Sequence, residues 1–125
     1  MEFLKLEIVT PGGVIFDDDV RQVTLPGADG EFGVLPRHAA LVSLLDSGVI
    51  EIEKKDGSVT AVAINSGYCK VDEEKTLCVV DGAVALNDGD LAKTLEEVQE
   101  LLQKAQASST AIATAVSKVE RIAKA

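Results

Sequence analysis

The chain has 125 residues, 46% apolar but only 3% aromatic, so its core must rest on Val, Leu, Ile and Ala. Its net charge of −9 is uneven: residues 1–89 hold 16 acids and 7 bases, whereas residues 90–125 hold 5 of each. An acidic surface is a poor match for nucleic acid or anionic lipid, and no stretch approaches the roughly 20 apolar residues that span a bilayer. No nucleic acid and no direct membrane insertion are expected. The first residues lack the features of a secretory or transit signal, which implies a cytosolic protein.

Residues 4–9 alternate, with Leu4, Leu6 and Ile8 on one face, the pattern of a half-buried strand. Pro11-Gly12-Gly13 ends it, and residues 14–16 resume an extended course. Asp17-Asp18-Asp19 reads as an acidic, solvated turn; it lacks the ligand spacing of a calcium loop. A strand follows over 20–25, and Pro26-Gly27-Ala28-Asp29-Gly30 is a strong break.

The 26–48 segment is unusual for a connector. It combines glycine turns, the exposed-looking Glu31, Phe32, Arg37 and His38, and the apolar run 39–45, which is either a further core strand or part of a binding surface. Residues 49–54 and 59–65 flank Asp56-Gly57, the signature of a type I′ hairpin. A second hairpin pairs 68–71 with 76–80; turning about Glu73-Glu74, it sets Cys69 opposite Cys78, both facing the core, where reduced thiols are expected over a strained disulfide. Short strands at this spacing describe a sandwich or barrel over residues 1–86.

At Asn87-Asp88-Gly89-Asp90 the period changes, and Asp90 is placed to cap a helix. Leu91, Leu95, Val98, Leu102 and Ala105 form one stripe; after a loop at 106–109 with Ser108 or Ser109 as cap, Ile112, Ala115, Val119, Ile122 and Ala123 form another. So short a loop implies antiparallel helices. Much of the second stripe is alanine, so the hairpin over 87–125 is expected to dock with only a few kcal/mol and to be releasable. The fold class is α+β, mainly β: an N-terminal antiparallel β-sandwich, then a C-terminal two-helix hairpin.

No catalytic or metal site is apparent. His38 is the one histidine and no nucleophile accompanies it in a motif; one His and two Cys give no metal spacing. No phosphate-binding loop occurs, and Gly30-Glu31-Phe32-Gly33 opens no helix.

The ordered series Val9-Thr10-Pro11-Gly12-Gly13, Val23-Thr24-Leu25-Pro26-Gly27, Gly30-Glu31-Phe32-Gly33-Val34-Leu35-Pro36-Arg37-His38-Ala39, Gly48-Val49-Ile50-Glu51-Ile52 and Ser66-Gly67-Tyr68 resembles the epsilon subunit of bacterial F-type ATP synthases. The resemblance covers nearly all of residues 3–86 by motif and the remainder by architecture. It implies a non-catalytic central-stalk subunit of a proton-translocating rotary motor, at the cytoplasmic face of the cell membrane. Its partners would be the gamma subunit and the c-ring, with Glu31 and His38 as ring contacts. It implies further that the hairpin, when extended, reaches the catalytic alpha and beta subunits and restrains ATP hydrolysis, with Lys104, Lys118, Arg121 and Lys124 as its contacts. Some relatives carry an ATP-binding signature with an arginine near the first helix. Lys93 stands in that region here and cannot reproduce a planar bidentate fork, so no nucleotide or other cofactor is expected. The competing expectation is a free-standing β-sandwich adaptor for another protein.

Overall fold

The computed structural model describes residues 2–87 and 89–124; Asp88, part of the expected break before the first helix, lies outside them, as do Met1 and Ala125. The described residues form nine strands, β1 (Leu4–Thr10), β2 (Gly13–Gly27), β3 (Gly30–Val34), β4 (Leu41–Leu45), β5 (Gly48–Lys54), β6 (Val59–Ile64), β7 (Gly67–Val71), β8 (Lys75–Val80) and β9 (Ala83–Ala85). Two helices follow, α1 (Leu91–Lys104) and α2 (Ser109–Ala123). The strands make two packed layers that share β2. Its first half pairs with β1, which continues to β8, β7 and β4; its second half pairs with β3 and β5, and β5 continues to β6 and β9. All pairings are antiparallel except β1–β8, which is parallel.

Alternation decides what lies between the layers. Leu4, Leu6, Ile8, Cys69, Val71, Cys78 and Val80 from one layer meet Val20, Val23, Leu25, Val34, Ile50, Ile52, Val62 and Ile64 from the other. Each buried Val, Leu or Ile contributes about 1.5–3 kcal/mol, so this aliphatic core suffices without aromatics in quantity. Cys69 sits directly opposite Cys78, both free and buried, in the register expected from the turn. The connection at Gly67 is tight: a Cβ there would lie 2.8 Å from Val80 Cα.

Four local expectations are corrected. Asp17-Asp18-Asp19 is not a turn but the middle of the 15-residue β2, paired with Glu7, Leu6 and Lys5. The backbone bonds of β1 hold it extended, and Lys5 and Lys55 stand 3.7 and 3.6 Å from Asp17 and Asp18. The β5–β6 hairpin exists, but its turn is not type I′, which requires positive φ at both central residues. Only Gly57 has positive φ (87°), and Gly57 N donates to Lys54 O: a three-residue loop with a glycine in the left-handed region. Residues 30–34 are a strand, and Phe32 is half-buried against the core instead of exposed. Ala105 is exposed and caps α1 at its C-terminus, while Thr94 takes a buried place.

The helices pack on the outer face of the β5–β6 layer, where Val49, Ala61 and Ala63 meet Val98, Leu102, Ala115, Val119 and Ile122 in a second, separate core. Asp90 Oδ1 accepts from Lys93 N at the start of α1, and Ser108 Oγ accepts from Ala111 N at the start of α2, which resolves the choice of cap in favour of Ser108. Thr94 Oγ1 accepts from Asn87 N and donates to Asp90 O, tying the entry of α1 to the chain before it.

Candidate interaction surfaces

Among the described residues no helix covers the outer face of the β1-β8-β7-β4 layer. Strand pairing lines up Leu44, Tyr68, Val79, Val9 and Val14 in one row across five strands. The next row runs Val42, Lys70, Leu77, Glu7 and Asp17. Val42 is 68% exposed, Leu44 69%, Val14 59% and Tyr68 47%. An apolar row of this length, flanked by charges, has the composition of surfaces that protein partners cover. It resolves the ambiguity of the 41–45 run: β4 is a strand in which only Leu45 is buried, while Val42 and Leu44 lie on the outer face. Sequence patterning missed the face because its members lie on strands distant in sequence; alternation in 68–71 and 76–80 locates the core side, not the neighbours across the sheet.

Its charged rim is ordered. Lys75 Nζ reaches diagonally from β8, where Leu77 is the residue opposite Glu7, and lies 2.9 Å from the Glu7 carboxylate. The hydrogen bond to Lys75 holds the Glu7 carboxyl below its usual range and raises the Lys75 ammonium. In the β7–β8 turn, Asp72 accepts from the backbone N–H groups of Glu74 and Lys75, which lowers its carboxyl likewise. Beneath the face, burial pushes the Cys78 thiol up to about 12 and Cys69 in the same direction, so neither is a nucleophile at neutral pH.

The segment from Glu31 to His38 runs along the flank of the sandwich, with its two singled-out residues at opposite ends. Glu31 stands opposite Pro26, beside the Gly27–Gly30 end of β3. His38 lies past the other end, where Arg37 N donates to Glu73 O in the β7–β8 turn and Arg37 pairs with Glu2. The His38 ring Nδ1 is 2.7 Å from Ala39 O.

The basic residues of the hairpin also divide. Lys104 and Lys124 make exposed one-turn pairs with Glu100 and Glu120 at 3.1 and 2.9 Å. Lys118 instead reaches the sandwich and lies between Glu31 and Glu51, and Arg121 lines the same cleft. The structure thus joins Glu31 to Lys118, two residues for which the family resemblance implies different partners. Among the described residues no cluster of three His, Cys, Asp or Glu side chains is arranged to hold a metal, and no helix is long and apolar enough to cross a membrane.

A β-sandwich with one uncovered apolar face and a helical hairpin on the other is the architecture of a docking subunit. Residues 3–86 match the family model described as the ATP synthase delta/epsilon chain, beta-sandwich domain. The ATP synthase epsilon chain of a Sulfurovum species is 75% identical over 126 residues, which cover 99% of this chain and 98% of that one. The epsilon chain of a Nitratiruptor species is 48% identical, with 99% and 98% covered. In fold, the chain is similar to a chain in the cryo-EM structure of the Euglena gracilis mitochondrial ATP synthase OSCP/F1/c-ring. That match has a TM-score of 0.66 at 21% identity and covers 95% of this chain and 80% of that one. It is also similar to a chain of the Tetrahymena thermophila mitochondrial ATP synthase central stalk and c-ring, with a TM-score of 0.56 at 13% identity, covering 83% and 96%. This chain belongs to the epsilon subunits of the bacterial F-type ATP synthase, and is a non-catalytic part of that complex.

Proposed function

We propose that this subunit turns with the central stalk, coupling ion-driven ring rotation to ATP synthesis, and that the uncovered face of the β1-β8-β7-β4 layer is its seat on the gamma subunit. The observation that carries this reading is the Leu44–Tyr68–Val79–Val9–Val14 row, apolar across five strands, with Leu44, Tyr68 and Val14 exposed and Val9 and Val79 half-buried between them. Docking removes these side chains from water, and the flanking Lys70, Glu7 and Asp17 then set orientation. The flank from Glu31 to His38 meets the c-ring; the acidic charge of the sandwich suits basic ring loops, with attraction that weakens in salt. The subunit thereby sits at the cytoplasmic face of the membrane without entering it.

The hairpin is the regulatory part. Docked, it covers Val49, Ala61 and Ala63; extended, it reaches the catalytic subunits and presents Lys104, Lys118, Arg121 and Lys124 to their acidic loops, restraining hydrolysis. The small residues in its seat support a docking energy modest enough to reverse.

Leu44→Asp tests the gamma seat, since residue 44 is solvent-exposed and the substitution leaves the core intact. Affinity for the purified gamma subunit should fall at least about tenfold, with the circular dichroism spectrum unchanged. Retained affinity would reject this face as the seat, and absence of gamma binding by the native subunit would favour a free-standing adaptor.

A further inference from the structure

Lys118 is singular among the hairpin cations. Its Nζ lies 2.5 Å from Glu31 Oε2 and 3.7 Å from Glu51 Oε2, and its side chain is only 14% exposed. Glu31 comes from β3 and Glu51 from β5, so one ammonium on α2 spans two strands of the sheet. The buried apolar contact between α2 and the sheet is made of few and mostly small side chains, Ala115, Val119 and Ile122 on Val49, Ala61 and Ala63, and Val98 and Leu102 of α1 complete the cluster. A partly desolvated, doubly partnered cation is screened less than an exposed pair, and withdrawing it leaves two neighbouring carboxylates facing each other. Where the apolar seat is small, this pairing carries a large share of the specificity of docking.

We propose that Glu31, Lys118 and Glu51 form a charge latch that holds α2 down on the sandwich. Its opening is favoured by salt and by any cationic group that takes Glu31. Lys118 is therefore committed to its own sandwich in the docked state and is freed for a partner only on release. That last consequence rests on the proposed action of the extended hairpin; the latch itself does not.

The test uses the isolated full-length chain and follows amide hydrogen exchange in α2, with β7 and β8 as internal reference. Lys118→Met and the double variant Glu31→Gln/Glu51→Gln should each speed α2 exchange roughly three- to tenfold and leave β7 and β8 unchanged. Combining all three substitutions should add nothing beyond Lys118→Met, because the partners act as one unit. Raising KCl should speed α2 exchange in the native chain and not in Lys118→Met, while Lys118→Arg should retain the salt response. Unchanged α2 exchange, additive effects, equal salt responses, or acceleration shared by β7 and β8 would each overturn the latch. None of these readouts involves ATP hydrolysis, so failure of the latch and failure of the regulatory reading are separable.

Discussion

Asp72 illustrates how single side chains secure the turns of this sandwich. Its carboxylate accepts two backbone N–H groups across the β7–β8 turn, and its pKa lies below the ordinary 3.8; Glu7, bonded to Lys75, lies below its ordinary 4.5. Both groups bind protons less readily in the folded chain than in the unfolded one. Their contribution is therefore fully present above the ordinary carboxylate range and is lost as pH falls through the lowered values. Asp72→Asn should lower the melting temperature at pH 6 and narrow the gap between melts at pH 6 and pH 3. A gap as wide as that of the native chain would show that the turn carboxylate does not contribute to acid lability. The buried Cys69–Cys78 pair was legible at this scale because turn position alone sets the register of a hairpin. Asp17-Asp18-Asp19 was not: three aspartates resemble a turn, and only the opposite strand β1 explains why they stay extended.

Among the elements, the helices are the part most open to adjustment. Each starts on a side-chain cap that sequence could nominate, Asp90 for α1 and Ser108 for α2. Ser108→Ala should cost about 0.5–2 kcal/mol, felt as faster exchange in α2 and not in the strands, because the hairpin core is separate from the sandwich core. Equal acceleration in both would mean that hairpin and sandwich open as one unit. The helical stripes were readable to within their ends. Ala105 fell out because a position that continues the periodicity can still be the one where the backbone leaves the helix. Strands were readable by alternation, whereas the parallel β1–β8 contact was not, since it joins segments some seventy residues apart with no turn to link them. Nor was the outward face of β4 decidable: an apolar run has the same appearance whether its side chains meet a core or await a partner.

At the scale of the whole molecule, the two faces of the sandwich divide the labour. One carries the hairpin; the other is open, apolar and five strands wide. The family motifs in the sequence pointed to the fold and the complex, while the pairing of Glu31 with Lys118 emerged only when β3 and α2 were brought together in space. Removing residues 90–125 tests the regulatory half: ATP hydrolysis by the reconstituted complex should rise, and an unchanged rate would contradict restraint by the hairpin. The seat on the stalk is the more central claim. Hydroxyl-radical footprinting of the native subunit, alone and assembled with gamma, tests it most directly. Val42, Leu44 and Tyr68 should lose reactivity on assembly, while exposed Val59, outside the Leu44–Val14 row, should keep its own. Undiminished labelling of Val42, Leu44 and Tyr68 in the assembled state would contradict docking through this face.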